Sequence, residues 1–248
     1  MLQFSLNYIE KSNHLFDYQI SWALLSNKLI VKYDGFDPDN IVYTDHYGAF
    51  NLYETDDTIL FDKKTLNLEY LSLNIPERNS EHSRQINLNN RISTTMRLKQ
   101  GIEHFVLEET FCRHLDINKN MLICLTLDNN FTSLDYIQIA NDFFFLFDKN
   151  EYVGWLVNNP IIYLTDMTKK TVHHNSSPIL ELKLKAYFEI VNDSNIDLLE
   201  DQNPFLKEKL NNLKNDLYSE IQLSRNEKTK GKLSILLNGI TNIIETFY

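Results

Sequence analysis

Few side chains in this chain are spaced as reacting groups are spaced. Asp45-His46 sets a carboxylate beside an imidazole, a pairing that favours the imidazolium and is the chain's best candidate for a general base. Cys112-x-His114 together with Cys124 offers two thiols and one ring nitrogen. Structural zinc needs four ligands, so a further group such as His104 would have to arrive across a hairpin. Asp34-x-x-Asp37-x-Asp39 is rich in oxygen donors. It lacks the twelve-residue loop, with Gly at position six and Glu at twelve, of a calcium-binding hand. His173-His174 sits in a polar run, where adjacent side chains on an extended chain point to opposite faces. The plain readings of these sets are an Asx-stabilised turn for the Asp run, a small buried hydrophobe for Cys124 in MLICLTL, and a surface loop for the His pair. No metal and no cofactor is expected.

The motifs that would name an activity are missing. Six glycines are dispersed, with no GxGxxG and no GxxxxGK[ST], and HExxH, CxxC and GxSxG do not occur either. Nucleotide binding, zinc proteolysis and hydrolase-type acyl transfer lose their usual signatures. An enzyme would have to assemble its site from scattered residues such as Asp45, His46 and distant carboxylates.

Residues 33–62 are different in kind. They hold Asp34, Asp37, Asp39, Asp45, Glu54, Asp56, Asp57 and Asp62 and not one Lys or Arg. The whole chain has 34 acidic and 24 basic residues, a balance of −10, whereas outside this stretch 26 acids face 24 bases. Tyr33, Phe36, Tyr43, Tyr47, Phe50, Tyr53 and Phe61 are threaded between the acids. Charge concentrated in this way repels phosphate backbones and attracts basic partners. A solvated face that keeps the chain soluble is the bland alternative. With so many aromatics on short strands, some tyrosines stay exposed, and exposed tyrosines suit interface hot spots. The residues expected to bind a partner are Asp34, Asp37, Asp39, Tyr43, Asp45, Tyr47, Tyr53, Asp56 and Asp57.

The elements that would position these groups read as follows. The apolar fraction of 43% indicates a folded chain, and no apolar run approaches the length of a membrane span. The N-terminus lacks a basic region followed by an apolar one, and two cysteines suit a reducing compartment, so a soluble cytoplasmic protein is expected. From Lys28 the pattern is β, with turns at Asp34-Gly35 and Asp37-Pro38-Asp39-Asn40. Residues 76–91 read as a long surface loop, and residues 92–111 as two strands broken near Gly101. MLICLTL and the pair DFFFLF and EYVGWLV read as strands, the latter a hairpin across Asp148-Lys149-Asn150-Glu151. Leu60-Phe61-Asp62-Lys63 recurs 86 residues later as Leu146-Phe147-Asp148-Lys149, and Pro76 and Pro160 close both copies, a pattern that an internal duplication explains. LELKLKAYFEI alternates with period two and predicts a half-buried strand over 180–190. Asn203-Pro204 predicts a helix start, followed by apolar residues Leu206, Leu210, Leu213, Leu217 and Ile221. A second helix follows through Leu233, Leu236, Leu237, Ile240, Ile243, Ile244 and Phe247.

The expected fold is α+β, a mostly antiparallel β body over residues 1–192 with a two-helix hairpin over 203–248 docked on it. The expected function is non-enzymatic capture of a basic protein partner, with no nucleic acid and no membrane. The acidic, motif-free profile is similar in kind to that of immunity proteins that neutralise bacterial toxins, although no residue pattern identifies such a family. A structural subunit using sheet edges and the C-terminal helices is the third possibility.

Overall fold

The computed structural model describes residues 2–12, 17–50, 57–81, 88–93, 95–129, 131, 133–165 and 177–248. After β1 (Ile9–Ser12), five strands form an antiparallel unit: β2 (Tyr18–Ala23), β3 (Lys28–Tyr33), β4 (His46–Ala49), β5 (Thr58–Asp62) and β6 (Leu68–Asn74). Their order in space is β2-β3-β6-β5-β4. Next come β7 (Leu88–Ser93) and β8 (Thr95–Leu98), and β8 returns to pair with β1. A second antiparallel unit then forms from β9 (Cys112–Asp116), β10 (Met121–Leu125), β11 (Leu134–Ala140), β12 (Phe143–Asp148) and β13 (Glu151–Asn158). Its order is β9-β10-β13-β12-β11, so both units place their first, second, fifth, fourth and third strands side by side. Each gains a parallel edge strand: β7 lies beside β11, and β14 (Leu164–Thr165) lies beside β2.

The likeness of the units extends to register. Lys28 opposite Asn74 and Leu29 opposite Leu73 correspond to Met121 opposite Asn158 and Leu122 opposite Val157. Tyr47 opposite Phe61 and Gly48 opposite Leu60 correspond to Asp135 opposite Phe147 and Tyr136 opposite Leu146. The ladder of each fifth strand shifts at the same point, between Leu60 and Phe61 in one unit and between Leu146 and Phe147 in the other. The first hairpins match as well. Residues 24–27 and 117–120 make four-residue turns that end in a left-handed asparagine, Asn27 at φ 53° and Asn120 at φ 50°. Asparagine tolerates that conformation better than other side-chain-bearing residues. Lys149 and Asn150, both at positive φ, make the two-residue turn that suits the twist of the β12–β13 hairpin.

Four helices follow: α1 (Pro178–Ile190), α2 (Ile196–Glu200), α3 (Pro204–Leu223) and α4 (Glu227–Phe247). The fold is therefore α+β, with α3 and α4 packed together as expected and α1 against both. Asn203 caps α3 as its sequence indicated, its side-chain oxygen accepting from the Phe205 and Leu206 amides at 3.0 and 3.1 Å. The stripe Leu206, Leu210, Leu213 and Leu217 is buried. Residues 180–190 are a correction: they form α1, not a strand. Leucine, lysine, glutamate and alanine are strong helix formers, and Pro178 occupies the first turn, where it fits. The buried set Leu180, Leu184, Tyr187 and Phe188 follows a helical period, and Leu182, which alternation would have buried, is 54% exposed. Among the described residues of 92–111, the last two of β7 and all of β8 are strand, and beyond Gly101 there are isolated bridges alone, so the second expected strand is also corrected. Residues 88–91 of the expected loop belong to β7.

One buried cluster unites the faces of both units and the helices. It includes Trp22, Leu29, Phe61 and Leu71 from the first unit, Leu122, Phe145 and Trp155 from the second, and Leu184, Leu210, Leu236 and Ile240 from the helices. Phe4 sits among them, its ring 5.0 Å from Phe105 and 5.8 Å from both Phe145 and Tyr152. Lys232 of α4 ties the helices to the sheet by donating to the carbonyls of Ile162, at 2.7 Å, and Leu164. Among the described residues no helix is long and apolar enough to cross a membrane.

Candidate recognition surface

Between β3 and β4 the chain makes two short 3-10 turns, Pro38–Asn40 and Tyr43–Asp45, and its side chains divide by direction. The inward set holds the segment in place. Phe36 stacks on Tyr70 with ring centres 5.3 Å apart and meets His46 edge-on at 5.9 Å. His46 is buried, with Nδ1 2.9 Å from the Val42 carbonyl and Nε2 3.0 Å from Glu69 Oε2. The ring therefore bridges β6 and the turn through its two nitrogens. Lys32 Nζ donates to the Phe36 carbonyl at 3.2 Å, and Lys63 N–H donates to the Asp45 carbonyl at 3.1 Å.

The outward set contains Asp34, Asp37, Asp39 and Asp45, all exposed, together with Tyr33, Tyr43 and Val42, the last 53% exposed. Asp34 Oδ1 accepts from Gln19 Nε2 at 2.6 Å. Asp37 caps its turn, with Oδ1 accepting from the Asp39 amide at 3.2 Å and Oδ2 from Asn40 Nδ2 at 2.6 Å. That is the Asx-type turn expected for this run, with the Asp37 carboxylate spent on neutral donors. Among the described residues none of these four carboxylates forms an ion pair. Tyr43 stacks on Phe50 with ring centres 5.1 Å apart.

The other expected contact residues go elsewhere. Tyr47 is half-buried beneath Lys63, whose Nζ is 5.0 Å from the ring centre. It lines a groove of about 470 Å³ that also holds Lys64, Arg97, Glu10 and Glu103, so its surroundings are mixed in charge. Asp57 is only 5% exposed. Its Oδ1 accepts from the Asn74 amide at 2.6 Å, and Oδ2 has no partner among the described residues. Burial pushes this carboxyl up to about 7, against the opposing pull of the Asn74 amide. Asp57 therefore takes no part in the exposed face. Tyr53 and Asp56 lie outside the described residues, as do Glu54 and the pair His173-His174.

The remaining sequence candidates resolve by geometry. Asp45 and His46 do not form a catalytic pair: the imidazole is engaged on both nitrogens, while Asp45 faces solvent. Cys112 and Cys124 are buried in two different clusters, on opposite faces of their sheet. Among the described residues no three His, Cys, Asp or Glu side chains are grouped as a metal site.

A second concavity, of about 710 Å³, lies between β9, residues 79–81 and α1. Arg113 is 1% exposed at its floor and 3.8 Å from the centre of the Phe188 ring. Its Nε donates to Asn79 Oδ1 at 2.9 Å and Nη2 to the Val191 carbonyl. Val191 ends α1, so the cation sits at the negative end of that helix. Burial pulls the guanidinium down to about 10. Asn79 Nδ2 donates to the Phe188 carbonyl at 2.7 Å, fastening the same helix end. A single arginine in FCRHLD gave no sequence signal for this cleft, because its partners lie 34 and 78 residues away.

No protein-family model matches the chain, and neither does any curated protein or solved structure.

Proposed function

We propose that this is a non-enzymatic binding protein whose segment 33–45 captures a basic protein partner, in the manner of an immunity protein that neutralises a toxin. The observation that carries the reading is the pairing of unneutralised carboxylates with exposed apolar surface on an anchored segment. Asp34, Asp37, Asp39 and Asp45 stand beside Tyr33, Val42 and Tyr43, and the half-buried Phe36 and the buried His46 hold the backbone beneath them. A surface fixed before binding loses little conformational entropy on docking. Its charge raises encounter rates, and its tyrosines and valine supply the desolvated contact.

The test begins with a partner recovered by affinity capture from native lysate and proceeds to binding kinetics. Changing Asp34, Asp37, Asp39 and Asp45 together to Asn should slow association about tenfold or more at low salt and flatten its salt dependence. Tyr43→Ala should leave association nearly unchanged and speed dissociation about 30-fold, as for a hot spot of about 2 kcal/mol. Unchanged association at low salt in the fourfold variant would reduce the segment to a solvated face.

A further inference from the structure

The two five-stranded units differ at the outer edge of their first strands. In the first unit β14 closes that edge, running parallel to β2 with Leu164 opposite Trp22 and Thr165 opposite Ala23. In the second unit the matching strand is β9. The shared register places Leu115 and Asp116 where the first unit has Trp22 and Ala23. Among the described residues only the start of this edge is covered. Asn79 bridges Arg113 in parallel, with the Arg113 amide donating to the Arg78 carbonyl and the Ser80 amide to the Arg113 carbonyl, both at 2.8 Å. By the two-residue period of a strand, Leu115 directs its backbone N–H and C=O to the same outer side. Among the described residues no strand bridges β9 there, and the 710 Å³ cleft opens at that point.

We infer that this cleft is a strand-addition site: an extended, basic segment of a partner protein docks parallel to β9 along Leu115 and Asp116, in the place that β14 fills on β2. As with Leu164 and Thr165 of β14, two residues pair along that length, at about 3.3 Å per residue. Main-chain hydrogen bonds to an exposed edge supply affinity, and pockets for alternate side chains supply selectivity. Leu115 and Phe188 offer the apolar contact. The rim carries Glu81, Asp116 and Glu189 against Lys185, whose Nζ is itself 3.6 Å from Glu189. Arg113 is buried and engaged by Asn79 and Val191, so the accessible charge is negative and selects cations. Arg113 Nη1 has no acceptor among the described residues, and an added strand brings carbonyls to that side. Arg113 is a positioning residue here, because it fixes the end of α1 that overhangs the groove. This site shares no residue with segment 33–45, so failure of either proposal leaves the other standing.

The probe is a fluorescein-labelled, end-capped octapeptide, KTLTKTLK, titrated into the full chain at low salt and followed by anisotropy. Saturable binding with a dissociation constant below about 1 mM is expected, together with slowed amide exchange at Leu115. N-methylation of the four central amides should abolish binding, because an N-methyl peptide cannot pair as a strand. Leu115→Pro removes the outward donor while sparing the ladder to β10, and should weaken binding about tenfold. Should Leu115→Pro not fold, Glu81→Lys with Glu189→Lys, both at exposed positions, should weaken binding about tenfold and flatten its salt dependence. The inference is overturned by any one of three results: no saturable binding at low salt, binding indifferent to N-methylation, or binding indifferent to the paired charge reversal.

Discussion

Asp57 shows what composition hides at the scale of one residue. Counted in sequence, it is one of eight acids in a negative stretch; in the fold it is a buried carboxyl just before β5, held by an amide 17 positions away. Its burial has a consequence for stability. The carboxyl titrates near 7 in the folded protein against 3.8 for the ordinary group, so the folded state holds its proton more tightly than the unfolded chain. Its contribution is therefore most favourable below the unfolded value, declines as pH rises, and is lost once pH passes about 7. Lys28 opposes this cost of ionisation, and Glu109 adds to it. Asp57→Asn keeps the acceptor for the Asn74 amide and removes the titration. The variant should gain stability on the order of a few kcal/mol over the parent near pH 8 and none near pH 4. Urea denaturation at the two pH values checks this, and a variant no more stable than the parent near pH 8 would refute it. His46 was obscured in the same way. Its neighbour Asp45 was visible in sequence, but Glu69, 23 residues on, is the carboxylate that meets its ring.

Elements were legible where the local pattern allowed one period and illegible where it allowed two. The β12–β13 hairpin and the N-cap of α3 were clear because turn residues and apolar runs agreed. In α1 the leucines at 180 and 184 satisfy both a period of two and a period near four, so alternation concealed the helix. That ambiguity yields a sharp test. On α1, Leu184 is buried and Leu182 exposed, whereas a strand would bury both. Leu184→Asp should cost several kcal/mol as an unpaired buried charge, while Leu182→Asp should stay within about 0.5 kcal/mol of the parent. Thermal melts of the two variants decide it, and equal losses would contradict the helix. The repeat of Leu-Phe-Asp-Lys at a spacing of 86 was legible, yet it holds for β5 and β12 alone. Between β3 and β10 the spacing is 93, as Lys28 and Met121 show, and between β6 and β13 it is 84, as Asn74 and Asn158 show. Unequal connections move each pair of strands out of a common period, so no single offset exposes the full correspondence.

At the scale of the whole molecule the two units are interlocked rather than strung together. The segment after β6 leaves the first unit and bridges β9 at Arg113, and the segment after β13 leaves the second unit and pairs with β2 at Trp22. Neither unit keeps its own edge covered without the other, and one cluster of buried side chains includes Trp22 and Trp155 together with the helices. Small single domains with one core unfold in one step, and the same is expected here although the chain is longer than most that do so. The two tryptophans allow each unit to be followed separately. Trp22 reports on the first unit, 5.9 Å from Phe188, and Trp155 on the second, 5.9 Å from Phe143. Neither indole nitrogen has a hydrogen-bond partner among the described residues, so Trp→Phe at either site removes no such bond. In Trp155→Phe the fluorescence of Trp22, and in Trp22→Phe that of Trp155, should change at the same urea concentration as that variant's far-ultraviolet circular dichroism. A lower absolute midpoint from lost ring volume is expected and does not affect the comparison, which is made within each variant. Fluorescence and dichroism that part in either variant would show one unit surviving the other, and the exchanged segments would then not be what holds the two together.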